Sequence, residues 1–294
     1  MNWARLEWRW RLIKKRLKEM GGSFAPRARS EAANLKTCRN CRALIARTAR
    51  TCPECGARLG WFASRARSGS AGAGFFADSP ATGTLLVAIL GLFLATWAAS
   101  GLGLHGPSGR VLIRFGADNS DAFVRGEYWR LLTAVFLHGN FLHILFNSAA
   151  LYQLGSEVES IYGWARTVAL FVGSGVVGSI ASMLLNDFVG VGVGASGAIF
   201  GLIGVIAVFG YRRGGSYGRG VMRIAIQWAV FSFLFGLYVG ADNWAHLGGF
   251  LCGAALAFVV PPERERVSVA WNAAGIIAAA LVPVAFAFAF LKAS

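Results

Sequence analysis

The chain has 294 residues, 55% of them hydrophobic and only 15% charged, with a mean hydropathy of +0.53. One soluble core cannot hide that much apolar surface, so the composition excludes an ordinary soluble domain and makes the bilayer the expected solvent. The net charge of +15 is uneven: residues 1–80 hold 17 Lys/Arg against 5 Asp/Glu, leaving 12 against 9 elsewhere, so a basic head precedes an apolar body.

In chain order, Trp3, Leu6, Trp10, Ile13, Leu17 and Met20 recur at spacings of three and four. This predicts a basic amphipathic helix over 1–20, lying on the membrane surface or packed on the segment that follows. Over 36–60, the spacing Cys38-x2-Cys41-x10-Cys52-x2-Cys55 supplies four thiolates for one tetrahedral Zn2+, closing a ribbon too short to fold around an apolar core. A tetrathiolate site keeps no open position, which makes the metal structural. Arg39, Arg42, Arg47, Arg50 and Arg58 interleave with these cysteines, and in a membrane-tethered chain they suit anionic lipid or a cytoplasmic protein partner better than nucleic acid. Residues 61–80, with their Gly/Ser/Ala-rich stretch, read as a flexible tether. The basic N-terminus leads into a polar segment rather than a cleavable apolar one, and Cys252 is isolated, so nothing suggests a disulfide framework. The head is expected in the reducing cytoplasm.

Apolar runs near the ~20 residues that cross a bilayer occur at 82–104, 131–154, 165–186, 194–210, 221–240, 244–262 and 267–291. Seven spans are therefore expected, a six-span core over 81–262 and one more helix within 263–294. The basic head and the segment holding Arg212, Arg213, Arg219 and Arg223 fall on one side, the cytoplasm by the positive-inside rule, which puts the C-terminus on the outer side of the membrane. The connection 105–130 falls outside despite Arg110, Arg114, Arg125 and Arg130. Spans two, four and six then all run inward, so their polar residues are expected to share one outer-leaflet pocket.

Those residues carry the chemistry. Ser196 stands in "GASG" among Gly190, Gly192, Gly194, Gly197, Gly201 and Gly204. By itself the stretch reads as close helix packing, and it does not match the soluble G-x-S-x-G elbow because Ala198 takes the last position. A serine becomes a nucleophile when a base within hydrogen-bond reach takes its proton. His246 is the histidine at matching depth, and Gly249 and Gly253 would let its helix touch that of Ser196. His143 and Asn147, four apart, share one helix face as paired donors for a developing oxyanion, with His138 turned away. Zinc at His138, His143 and His246 is the competing reading, but no H-E-x-x-H helix or neighbouring carboxylate accompanies them.

Over roughly 80–262 these residues resemble the rhomboid intramembrane serine proteases. The ordered matches are "EYWR" (127–130), "HGNFLHILFN" (138–147), Gly155/Glu159/Gly163, "GASG" (194–197) and "AHLGGFLCG" (245–253). The resemblance implies an all-α polytopic membrane protein with a Ser196–His246 dyad lacking a third carboxylate, and an oxyanion hole of Asn147, His143 and the Ser196 N–H. It further implies that Phe200 packs on the histidine, that His138, Trp129 and Arg130 support the first outer loop, and that Glu159 ties the cytoplasmic end together. The last span resembles the extra C-terminal helix of some members, an anchor with no chemistry.

The expected function is therefore a serine endopeptidase of a bacterial inner membrane, acting on the transmembrane helices of other proteins near the outer face. The competing class is a non-catalytic membrane chaperone or adaptor of the same fold, since fold alone does not fix function. A channel or transporter would instead continue ionisable groups deeper into the core.

Overall fold

The computed structural model describes residues 35–37, 43–46, 49, 52–54, 78–185, 190–262 and 268–293. The helix expected over 1–20, Cys38, Cys41, Cys55 and most of the tether lie outside the described residues. Two compact units are present, Met1–Ser70 and Ala71–Ser294.

In the first unit, β1 (Leu35–Thr37) pairs antiparallel with β2 (Leu44–Ala46), Lys36 opposite Ile45. Ile45 and Cys52 are buried.

The second unit is helical. Its elements are α1 (Pro80–Ala99), α2 (Gly109–Arg114), α3 (Ser120–Val124), α4 (Arg130–Thr133) running into a 3₁₀ turn (Ala134–Phe136), α5 (Phe141–Tyr162), α6 (Trp164–Leu185), α7 (Ser196–Arg213), α8 (Gly215–Val239), α9 (Asn243–Val259) and α10 (Val269–Ala293). Among the described residues α1, α6, α7, α8 and α10 are long and apolar enough to cross a membrane, α4 with α5 forms a sixth, bent candidate, and α9 is a shorter apolar helix. The chain is thus a polytopic helical membrane protein.

Helix α7 is the hub, buried without interruption from Gly197 to Val208. A helix apolar on every side needs neighbours on every side, and α6, α8 and α9 supply them. The contact with α9 is backbone on backbone: a methyl group at Gly249 or Gly253 would collide with the carbonyl of Gly197 or Gly201. Peripheral α8 contrasts with this, burying only Gly218, Ala225 and Gly236.

Direction follows from the contacts. Glu159 in the last turn of α5 accepts from Ala81 N–H (2.8 Å), Thr82 N–H (2.8 Å) and Thr82 Oγ1 (2.7 Å) in the first turn of α1. Phe93 and Trp97, late in α1, meet Phe141 at the start of α5, each with centroids 5.2 Å apart. These helices are antiparallel, and Glu159 satisfies N–H groups that a helix start leaves without intrahelical partners. By the same logic Gly197 against Ala245 and Gly201 against Gly253 make α7 and α9 parallel.

Three boundaries differ from expectation. The apolar run 131–154 is not one span: α4 and its 3₁₀ turn meet α5 at 89°. Residues 131–137, all but Thr133 apolar, are buried beneath the 105–130 connection, and Asn140 starts α5 afresh by accepting His143 N–H (2.8 Å). The basic segment after α7 is not a loop either. Gly214 and Gly215, with φ of +64° and +62°, turn the chain directly into α8, so Arg212, Arg213, Arg219 and Arg223 ride on helices. The connection 105–130 is structured by α2 and α3, and its Arg130 is 8% exposed, donating to Ile113 O (2.6 Å) and Ala117 O (3.0 Å) while paired with Glu127 (2.5 Å). That charge is consumed internally, so Arg130 is not a free surface charge of this connection.

Helix α10 is more than an appended anchor. Gly275 lies against the Ala165 backbone, and Phe286, Phe288 and Phe290 meet Phe136, Trp129 and Phe115 at 6.4, 6.1 and 5.2 Å. Its C-terminal half therefore buttresses the α2–α4 platform. Between α1, α6 and α10 runs a 490 Å³ apolar groove lined by Leu85, Phe136, Val168 and Val282, with no titratable side chain and so no means of acid–base chemistry.

Candidate active site

Helices α5, α7 and α9 begin at the same end of the bundle; the first turns hold His143, Ser196 and His246, and Asn147 follows one turn after His143. Three ties deliver the segment that enters α7. Asp118 and Gly192 exchange both backbone hydrogen bonds (3.0 and 2.8 Å), Gly194 N–H donates to Ala134 O (2.9 Å), and Ala195 N–H donates to His138 Nε2 (3.5 Å). Gly194 holds φ +130°, and a Cβ there would run into the His143 ring at 2.6 Å. Only glycine permits both the backbone angle and the approach.

Ser196 then opens α7, whose N-terminus receives no side-chain cap from Ala195. Its first N–H groups lack intrahelical acceptors, and the helix dipole adds positive potential there. Such an end favours an anionic oxygen.

His246 is 5% exposed and held on two sides. Phe200, one turn after Ser196, stacks on it with centroids 4.2 Å apart and planes within 7°. Asn243 Oδ1 lies 2.9 Å from His246 Nδ1. Asp242 caps α9 by accepting Ala245 N–H (3.0 Å) and also takes the Ser182 hydroxyl of α6. The Ser196 hydroxyl and the His246 ring occupy adjoining turns of parallel helices in backbone contact, without a hydrogen bond between them in this state; such bonds commonly tighten only when substrate is present.

Asn147 is 5% exposed and its Nδ2 donates to His143 O (2.9 Å), leaving a second N–H on that nitrogen. His138 does not lie on the His143 helix at all. It sits in the bend before α5, fully buried, its ring 5.0 Å from that of His143.

Sequence reasoning did not single out Asp118, Asp242 or Asn243. Asp242 and Asn243 had a readable signal, capping residues just ahead of an apolar helix; Asp118 had none. Burial pushes the Asp118 carboxyl from its ordinary 3.8 up to about 7, opposed by the Asn119 N–H and Arg130 and assisted by Asp242. Because the folded chain holds this proton more tightly than the unfolded one, the contribution of Asp118 to stability is greatest below about pH 4, falls as pH rises to about 7, and levels off above. Asp118→Asn is expected to flatten that slope in unfolding temperatures measured across the window; identical slopes in the two proteins would contradict it.

This geometry defines a class, a helical membrane protein with a serine and a histidine at one end of a bundle of parallel and antiparallel helices. A model of the Rhomboid domain matches residues 125–263. The chain is 36% identical over 142 residues to the putative rhomboid protease YdcA of Bacillus subtilis (strain 168), covering 48% of this chain and 71% of that protein. It is 35% identical over 154 residues to the rhomboid protease GluP of the same organism, covering 51% of this chain and 30% of GluP. With RHOMBOID-like protein 5 of Arabidopsis thaliana it shares 39% over 163 residues, 53% of this chain and 52% of that protein. The chain belongs to the rhomboid family, while spanning only part of GluP and about half of the plant protein.

Proposed function

We propose that this chain is an intramembrane serine endopeptidase that cleaves transmembrane segments of other proteins near the outer face of a bacterial inner membrane. The observation that carries the reading is the backbone contact of α7 with α9, with Phe200 stacked on His246 one turn beyond Ser196. Nucleophile and base are thereby held on adjoining rigid elements. Kinship with proteins named rhomboid proteases supports the same reading.

In the proposed reaction His246 Nε2 takes the proton of Ser196 Oγ as Oγ bonds to the scissile carbonyl carbon. The carbonyl oxygen becomes an oxyanion that accepts hydrogen bonds donated by the Ser196 N–H at the uncapped α7 terminus, the second Asn147 Nδ2 proton and His143. Collapse of the intermediate breaks the C–N bond, and His246 gives its proton to the departing amine. Water, deprotonated by His246, then hydrolyses the acyl-enzyme. A helical substrate hides its carbonyls in i to i−4 hydrogen bonds, so the target must unwind locally, which favours small or helix-breaking residues near its outer end.

The arginine-bearing helix ends and basic head support a cytoplasmic N-terminus and a C-terminus on the outer side. In the head, Cys38, Cys41, Cys52 and Cys55 would hold one structural Zn2+. The antiparallel pairing of β1 with β2 and the buried Cys52 support a small ribbon of this kind. The surrounding arginines would meet anionic lipid or a cytoplasmic protein. Metal analysis of the purified full chain should return about one zinc per chain, lost in Cys38→Ser; full-length protein free of zinc would rule the ribbon out.

Reconstitution with a tagged single-span substrate tests the protease reading. Cleavage by the wild type that disappears in Ser196→Ala and His246→Ala is expected. Binding of the substrate without cleavage would favour the chaperone or adaptor.

A further inference from the structure

The orientation of the His246 imidazole is set by a residue outside the proposed dyad and oxyanion hole. Asn243 opens α9 three residues earlier, and its amide bridges two helices. Its Nδ2 donates to Phe233 O of α8 at 3.2 Å, and its Oδ1 lies 2.9 Å from His246 Nδ1. The Phe233 carbonyl can only accept, so the amide nitrogen must face α8 and the amide oxygen must face the histidine. An oxygen there requires the proton on Nδ1. Nε2 is then left with its lone pair, the form a general base needs. Gly236 of α8 makes the seat: a Cβ there would lie 2.5 Å from Asn243 Oδ1. Phe200 covers one face of the ring.

We propose that Asn243 is the positioning residue for His246, fixing the Nδ1–H tautomer and ring orientation through the Phe233–Asn243–His246 chain, so that the Ser196–His246 dyad works with its imidazole held from outside the dyad. This rests on the protease reading. Asn243 is neutral, so it fixes the tautomer without attracting charge to the ring as a buried carboxylate would. The charged or titratable groups that face His246 are Asp242, at the start of its own helix, and His143 on α5. Helix α7 faces it with Ser196 and Phe200, and α8 reaches it through Asn243.

Two measurements on the full chain in liposomes test the proposal. In cleavage of a single-span substrate, Asn243→Ala should lower kcat by roughly 10- to 100-fold with KM within about twofold, since a positioning contact acts on the transition state more than on binding. Asn243→Asp should recover part of that loss and move the acid limb of the kcat/KM profile up by about one pH unit, because a carboxylate beside the imidazole favours its protonated form. A packing role alone would leave that limb where it is. Independently of activity, 15N spectra of histidine-labelled protein, assigned by loss of the signal in His246→Ala, should show the Nδ1–H tautomer in the wild type and a mixture in Asn243→Ala. A wild-type Nε2–H tautomer, or spectra and kcat unchanged in Asn243→Ala, overturns the proposal. Wild type that cleaves nothing while showing the expected tautomers would instead overturn the protease reading and leave the positioning contact standing.

Discussion

Replacing Ser196 with alanine is expected to reduce cleavage by about 10⁴-fold or more while leaving the fold in place, the largest effect any single side-chain change here should have. The Ser196 side chain is half-exposed and caps nothing, so its loss opens no cavity and breaks no described hydrogen bond. Unfolding temperature in detergent should stay within a degree or two, separating lost chemistry from lost structure. His246→Ala should fall to a similar floor, and the double variant no lower, because groups that act as one unit are not additive. The His246 change removes the stacking partner of Phe200 and should also lower stability. Asn147→Ala and His143→Ala each remove one proposed donor to the oxyanion and should cost less, about 10² to 10³ in kcat. Attachment of a fluorophosphonate to wild type but not to Ser196→Ala would identify the nucleophile directly. Cleavage by Ser196→Ala at the wild-type rate would end the serine-protease reading.

What the sequence made legible was periodicity and polarity. Seven apolar runs and a few polar groups inside them suffice to infer that spans two, four and six start together. The structure brings the first turns of α5, α7 and α9 together in that way. Glu159 and Phe200 likewise occupy the roles that the family resemblance implied. The bend at 138–140 was hidden because hydropathy sums composition and does not distinguish apolar residues facing lipid from those buried beneath a loop. Leu131, Leu132, Val135, Phe136 and Leu137 are all buried. Its consequence is favourable to the site: His143 and Asn147 move up into the first two turns of α5, closer to the level of Ser196 than a continuous span would place them. Contacts distant in sequence were not legible at all. Nothing local announces that Asp118 pairs with Gly192, or that the aromatic rings of α10 rest on the platform carrying Ala134 and His138.

Gly253→Val is expected to disable the protein from two turns away from the chemistry. The added carbons would meet the carbonyl and Cα of Gly201, which are backbone and cannot rotate aside. Helices α7 and α9 must then separate or slide, and in the proposed reading their contact is what aligns Ser196 with His246. A displacement of about 1 Å between reacting groups costs on the order of 10²-fold in rate, and forcing carbon into a filled contact costs about 1–3 kcal/mol or more. Activity should therefore fall by about 100-fold with a clearly lower unfolding temperature. Gly249→Ala should do the same through the Gly197 carbonyl, one turn nearer the site. Gly91→Ala on α1, where an added methyl meets nothing within 4 Å, provides the control and should leave cleavage unchanged. If Gly253→Val cleaves as well as that control, the α7–α9 contact is not what aligns the pair, and alignment must come from the ties on the segment entering α7. Those ties predict the opposite pattern, with Gly194→Ala the more damaging change, because a Cβ there meets the His143 ring at a φ that only glycine holds without strain.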